Sequence, residues 1–114
     1  MTFKEDFEYK YRKLESTKII YKYPSRIPII VEKYKDSQLK DIDKNKYLVP
    51  KDLYLNQFIY VIRKRMKLDS SESLFIMINN ELCPSNMILS EIYDKYVDKD
   101  GFLYITYTSE NTFG

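Results

Sequence analysis

One cysteine, no histidine and two glycines narrow the chemistry open to this chain of 114 residues. Without histidine there is no Ser-His or Cys-His nucleophile pair and no His-ligated zinc. Cys83 stands in Leu82-Cys83-Pro84 with no basic residue beside it, so nothing lowers its pKa and it reads as an inert, partly buried thiol. Asp41 and Asp43 offer a carboxylate pair, yet they lie in a lysine-rich loop and read as solvated. Asp98-Lys99-Asp100-Gly101 has the look of a calcium loop, but setting Gly101 at its sixth position puts Tyr96 at the first ligand and Tyr107 at the twelfth, which excludes it. A glycine-rich phosphate cradle is excluded as well. No catalytic residue, metal or cofactor is expected, and the chain is not expected to be an enzyme.

What remains is its end, Thr112-Phe113-Gly114. A glycine carboxylate has no side chain beside it, so a slender tail can enter a narrow enzyme channel, become adenylated and pass as a thioester to an amine. The alternative, a terminal glycine without chemical meaning, stays open on this feature alone.

The chain that must present such an end is long enough for one core and too short for two. Apolar residues make up 44% and charged residues 32%, with a net charge of +2, so the surface is mixed and no nucleic-acid partner is implied. A single Cys83 and the lack of a secretory leader pattern fit a reducing, cytoplasmic compartment. The longest apolar stretches, around Ile27–Val31 and Leu74–Ile78, are far shorter than the roughly 20 residues that span a bilayer.

Thr2 and Glu5 resemble a capping box, and Phe7, Tyr11 and Leu14 recur at helical spacing, so the N-terminal segment is predicted helical up to Tyr23-Pro24. Ile27-Pro28-Ile29-Ile30-Val31 reads as a strand covered on both faces. A polar loop from Lys35 to Asn45 leads to a short strand, Lys46-Tyr47-Leu48-Val49, and then a helix with Leu55, Ile59, Ile62 and Met66 on one face and Phe58, Val61 and Arg65 on the next. Leu74–Ile78 is predicted as a buried strand closed by an Asn79-Asn80 turn, Leu89, Ile92 and Tyr96 mark a last helix, and Phe102–Tyr107 a last strand. The expectation is an α+β, ubiquitin-like β-grasp with a four-stranded mixed sheet and an N-terminal helical extension. Its parts are residues 1–24 as extension, 25–108 as the β-grasp domain and 109–114 as a flexible conjugation tail.

The chain also resembles the autophagy ubiquitin-like modifiers, the family that includes the GABA-receptor-associated protein and its yeast-type relatives. The resemblance is carried by Lys22-Tyr23-Pro24, Arg26-Ile27-Pro28, Val31-Glu32-Lys33, Lys46-Tyr47-Leu48-Val49-Pro50, Gln57-Phe58, Ile62-Arg63-Lys64-Arg65, Phe75 with Asn79-Asn80, and Asp98–Tyr107 followed by Glu110-Asn111-Thr112-Phe113-Gly114. It implies conjugation of Gly114 to phosphatidylethanolamine by ubiquitin-like activating and conjugating enzymes, with a processing and delipidating cysteine protease, and anchoring on autophagosomal membranes. It further implies recruitment of cargo receptors and autophagy proteins through aromatic-x-x-aliphatic peptides, by a protein monomeric in solution. The aromatic pocket would be lined by Glu15, Ile19, Pro28, Ile30, Lys46, Leu48 and Phe102, and the aliphatic pocket by Tyr47, Val49, Pro50, Leu53, Phe58 and Val61. Arg26, Lys44 and Arg65 would supply charge contacts. Leu74, Phe75, Ile76 and Met77 would form a second binding face, with Met77 in place of the usual Phe.

Alternatives stay open at this point. Ile30, Leu48, Leu53 and Phe58 also read as plain core, and Arg63-Lys64-Arg65 as a solvated helix face. The functional alternative is a ubiquitin-like adaptor or trafficking module that is never conjugated. Glu8 and Tyr11 depart from the family's usual proline and basic residue, so N-terminal contacts are expected to differ.

Overall fold

The computed structural model describes residues 2–109. Thr2 caps the first helix, α1 (Phe3–Asp6): its hydroxyl accepts from the Glu5 amide at 3.2 Å, and its own amide donates to Glu5 Oε1 at 2.8 Å. The predicted capping box is therefore present, and it satisfies two amides that a helix start leaves unbonded. The chain turns extended at Phe7 and resumes as α2 (Tyr9–Lys22), so the predicted extension is two helices rather than one.

The strand after Pro24 is β1 (Arg26–Lys33), with every residue from Ile27 to Val31 buried. That run is covered on both sides as its composition requires. After the loop come β2 (Lys46–Pro50), α3 (Leu55–Met66), β3 (Phe75–Ile78), β4 (Glu81–Leu82), α4 (Leu89–Tyr96) and β5 (Leu103–Thr108). The sheet order is β2-β1-β5-β3-β4, with β1 and β5 parallel and the other neighbours antiparallel.

Five strands replace the four expected. The extra one, β4, returns from the Asn79-Asn80 turn, where both residues have positive φ, 52° and 65°. That backbone matches the right-handed twist of a tight hairpin and folds the two following residues back onto β3.

Alternation along the strands sends Ile27, Ile29, Val31, Tyr47, Val49, Ile76, Ile78, Leu103, Ile105 and Tyr107 to one face of the sheet, where α3 covers them with Leu55, Phe58, Ile62 and Met66. The other face carries a smaller cluster of Phe3, Ile30 and Phe102, with Ile19 against it. Here the helix reading needs correction. Phe7, Tyr11 and Leu14, the residues whose spacing marked the N-terminal helix, are exposed, and Arg12 and Ser16 are the buried ones.

Polar bonds explain the inversion. Arg12 Nε donates to the fully buried Asp100 at 2.8 Å, Arg12 Nη1 donates to the Phe7 carbonyl at 2.6 Å, and the Ser16 hydroxyl donates to the Asp100 carbonyl. Asp100 also accepts from the Phe102 amide at 2.9 Å and from the Tyr104 hydroxyl. A buried carboxylate with this many donors is satisfied, and it, rather than an apolar stripe, sets which face of α2 turns inward.

Candidate functional site

β2 is the terminal strand of its side of the sheet, so one of its edges is open. Two hydrogen bonds flanking its pairing with β1, Val31 N–H to the Asn45 carbonyl at 2.7 Å and Lys51 N–H to the Ser25 carbonyl at 3.0 Å, set the phase of the ladder. Antiparallel pairs alternate between bonded and non-bonded, so with the observed register Val49 and Tyr47 bond inward to Ile27 and Ile29. The amides and carbonyls of Lys46 and Leu48 consequently point outward, as an unpaired edge that can accept another strand.

The same alternation divides the side chains around this edge. On the α2 face lie Glu15 and Ile19 from α2, Pro28 and Ile30 from β1, Lys46 and Leu48 from β2, and Phe102 before β5. Pro28, Ile30 and Phe102 are buried and form a floor, while Ile19, Lys46 and Leu48 are half-buried at the rim. Lys46 Nζ pairs with Glu15 Oε1 across the gap between β2 and α2. The other oxygen, Glu15 Oε2, is buried without a hydrogen-bond partner.

On the α3 face, Tyr47, Val49 and Phe58 are buried, Pro50 and Leu53 half-buried, and Val61 is 42% exposed. Tyr47 meets Phe58 edge-on, with ring centroids 5.5 Å apart. Burial pushes the Tyr47 phenol above its ordinary range. Tyr47, Val49 and Phe58 thus belong to the main core, and Leu53 and Val61 are what that core offers to the outside.

The three cations differ in commitment. Arg65 binds both oxygens of Asp43, at 2.8 and 3.1 Å, and this guanidinium holds the Asp43 carboxyl below the usual carboxylate range. Asp43, read from sequence as solvated, is exposed as expected and also paired. Lys44 lies over the Tyr47 ring at 5.0 Å. Arg26 donates through Nη1 to the Leu48 carbonyl at 3.1 Å.

Of the second expected face, Leu74, Ile76 and Met77 are buried and only Phe75 is half-exposed. Leu74, Phe75 and Ile76 line an open cleft of ≈ 560 Å³ together with Ile59, Leu82 and Cys83. Ile59 was read from sequence only as part of the apolar helix face and Leu82 only as a neighbour of Cys83, and the signal for placing Leu82 here was the hairpin that brings it back beside β3. Burial pushes the Cys83 thiol up, and its intermediate exposure matches the inert, partly buried thiol read from sequence. Gly114 lies outside the described residues. Among the described residues no cluster of His, Cys, Asp and Glu can hold a metal, and no helix is long and apolar enough to cross a membrane.

A mixed sheet grasping one helix, capped on its back by an N-terminal helical pair and open at β2, is the architecture of a ubiquitin-like protein. The family model described as "Autophagy protein Atg8 ubiquitin like" matches residues 11–114. Autophagy-related protein 8 of Schizosaccharomyces pombe is 54% identical over 98% of this chain and 93% of its own length. Autophagy-related protein 8e of Arabidopsis thaliana is 53% identical over 98% of this chain and 92% of its own. The crystal structure of Trypanosoma brucei ATG8 superposes with a TM-score of 0.93 at 39% identity, covering 100% of this chain and 98% of that one. The chain belongs to the Atg8 family of autophagy ubiquitin-like proteins.

Proposed function

We propose that this protein is a conjugated adaptor of autophagy: Gly114 is joined to phosphatidylethanolamine, and the edge of β2 recruits cargo receptors and autophagy proteins carrying aromatic-x-x-aliphatic motifs. The observation that carries the docking reading is one of parity. Side chains on an added strand alternate between faces, so residues three positions apart point to opposite sides. An aromatic anchor directed to the α2 face therefore sends its aliphatic partner to the α3 face, the two sides on which the residue sets around β2 lie. Main-chain bonds to Lys46 and Leu48 would fix the register while the pockets read the side chains.

Magnitudes rank the contacts. Burying each anchor contributes roughly 1.5 to 3 kcal/mol, whereas an exposed ion pair contributes about 0.2 to 1 kcal/mol. The pockets dominate and the charges adjust. The unpartnered Glu15 Oε2 favours a ring that carries a donor, because a buried acceptor left unbonded is costly.

Attachment follows ordinary acyl chemistry. The Gly114 carboxylate attacks the α-phosphate of ATP and releases pyrophosphate, the acyl group passes from AMP to a thiol of the activating enzyme and on to one of the conjugating enzyme, and it forms an amide with the ethanolamine amine, releasing the last thiol. A cysteine protease would process the precursor and reverse the attachment. Each buried methylene contributes about 0.8 kcal/mol, so a lipid with two acyl chains holds durably where one short chain would not. The protein is then cytoplasmic until lipidated and autophagosomal afterwards.

The test has two arms. With activating and conjugating enzymes, ATP and phosphatidylethanolamine liposomes, the chain should gain one phospholipid mass at Gly114; no gain under conditions that conjugate a close relative overturns the modifier reading. Separately, Leu48→Ala should weaken binding of a Trp-x-x-Leu peptide with folding still cooperative, and unchanged affinity overturns the groove.

A further inference from the structure

We infer that the end of the molecule from which the C-terminal tail departs is a second, electrostatic contact with the membrane: once Gly114 is joined to a lipid, Lys35, Lys40, Lys64 and Lys67 take up the anionic headgroups around it. The inference rests on the attachment proposed above and adds to it a lipid preference and an orientation. Its starting point is the place where β5 ends. Lys33 pairs with Tyr107 on one side of β5, and the Tyr34 amide donates to the Tyr107 carbonyl at 2.9 Å. On the other side Phe75 pairs with Thr108. The Tyr107 hydroxyl donates to the Lys40 carbonyl at 2.7 Å. The last residues of β5 are therefore bordered by two loops, residues 34–45 after β1 and residues 67–74 between α3 and β3.

Gly114 is six residues beyond Thr108, a distance of at most about 20 Å whatever path the chain takes. The body measures 39 × 30 × 27 Å, so a lipid at Gly114 keeps this end beside the bilayer and leaves the opposite end free to swing away. Charges that border the exit stay near the headgroups at any tilt. α2 is basic as well, with five cations against Glu15 between Tyr9 and Lys22, but it meets the surface only if the body lies on that side.

Charge gives the contact its partner. Residues 33–45 and 63–74 together hold eight lysines and arginines and five carboxylates, a net +3 in a chain whose total is +2. Asp41 and Asp43 are already held, by Lys33 at 3.6 Å and Arg65 at 2.8 Å. Lys35, Lys40, Lys64 and Lys67 are exposed, and none of the five ion pairs among the described residues involves them. Asp36, Asp69 and Glu72 are the carboxylates left to oppose them. At the end of α3 an open cleft of ≈ 470 Å³ is lined by Tyr60, Arg63, Lys64, Lys67, Leu68 and Ser70, three cations and no carboxylate. Arg63 donates to the carbonyls of Glu72 and Asp69 at 2.7 and 2.8 Å, which fixes the loop beside the cleft without cancelling its charge. A headgroup phosphate or carboxylate supplies the anion that this cleft lacks. Each lysine close to an anionic leaflet strengthens binding about fivefold, and the gain fades beyond a Debye length of about 8 Å. The short tether is what holds these lysines inside that layer.

Footprinting of the lysine amines on a chemically tethered chain tests this. The full chain with Cys83→Ser and Gly114→Cys adds its single thiol to maleimide-phosphatidylethanolamine in liposomes, and acylation at each lysine is timed by mass spectrometry. On liposomes with about 30% phosphatidylserine, Lys35, Lys40, Lys64 and Lys67 should react about threefold more slowly than on liposomes of neutral phosphatidylcholine, with Lys10, Lys13 and Lys18 unchanged. Raising salt to about 0.5 M should erase the difference. Equal rates on the two liposomes overturn the contact. Slowing at Lys10, Lys13 and Lys18 in place of the four overturns it as well, because the body then lies on α2. Coupling replaces the enzymes, so equal rates here with a mass gain at Gly114 in the enzymatic liposome reaction sink only this contact. No mass gain there sinks the attachment, and this inference with it.

Discussion

The two helical layers of this protein hold the same sheet by different means. α3 covers its face with Leu55, Phe58, Ile62 and Met66, each 2% exposed or less. α2 covers the opposite face with few apolar contacts, and its anchors are Arg12 and Ser16 on Asp100 and Glu15 on Lys46. Apolar packing is non-directional and spread over many contacts, whereas a polar anchor acts through a few bonds that fail together. The α3 side is thus the permanent wall of the β2 edge and the α2 side its conditional wall. The β2 edge lies between a wall held by apolar packing and a wall held by polar bonds.

The largest effect that sharpens this contrast is Phe58→Ala, which should cost about 3 to 5 kcal/mol. Because Phe58 sits in the main core, the whole chemical-denaturation curve should move as a single transition. Asp100→Ala should cost on the order of 3 kcal/mol by stranding the Arg12 guanidinium, but locally. Hydrogen exchange should accelerate through α1 and α2 while the amides of β1 and β5 keep their protection. Equal acceleration across the sheet would break the distinction between the two layers.

These differences were unequally legible in the sequence. α3 was readable because its burial follows apolar period: Leu55, Ile62 and Met66 stand where helical spacing puts them. In α2 the same rule picked Phe7, Tyr11 and Leu14, the outward face, because the anchors there are a charged residue and a hydroxyl whose partner is 84 to 88 positions away. No local pattern encodes such a pairing. β1 was legible from its unbroken apolar run, and β4 was missed because two residues are too few to show any period. The pocket residues came from family resemblance, while the hold of Arg26 on the Leu48 carbonyl emerges only from the structure.

Gly101 tests the conditional layer more gently. Its φ is +92°, and a Cβ added there would lie 2.3 Å from Ser16 Oγ and 2.9 Å from Ser16 Cβ. Glycine is needed both for the backbone and for the close approach of α2. Gly101→Ala should cost about 1 to 3 kcal/mol and loosen α2. Ser16→Gly removes both atoms that the new Cβ meets and, with them, the hydroxyl that anchors α2, so the comparison is with that single variant: Gly101→Ala should lower the melting temperature less in the Ser16→Gly background than in the native chain, leaving the backbone strain. An equal loss in both backgrounds would mean that the closeness of α2 to Gly101 is not what glycine preserves.

The smallest expected effect compares two tyrosines on opposite faces of β5. The Tyr104 hydroxyl donates a hydrogen bond to Asp100 under α2, and that of Tyr107 donates to the Lys40 carbonyl at 2.7 Å on the α3 side. Burial raises both phenols; Tyr107 is pushed up to about 12, and Tyr104 further, aided by the Asp100 carboxylate. A phenol whose folded pKa exceeds its unfolded value near 10 stabilises the fold fully at lower pH and loses that contribution as pH climbs through the folded value. Melting temperature should therefore fall between about pH 10 and 12. Tyr107→Phe should cost about 1 kcal/mol at neutral pH, for one hydrogen bond, and should flatten that alkaline slope. Tyr104→Phe should flatten the slope in this window too, because its unfolded phenol also titrates near 10 while the folded one keeps its proton throughout, and the contribution of Tyr104 should continue past the window, where that of Tyr107 has ended; an alkaline slope unchanged by Tyr104→Phe would mean that burial beside Asp100 does not hold this phenol's proton.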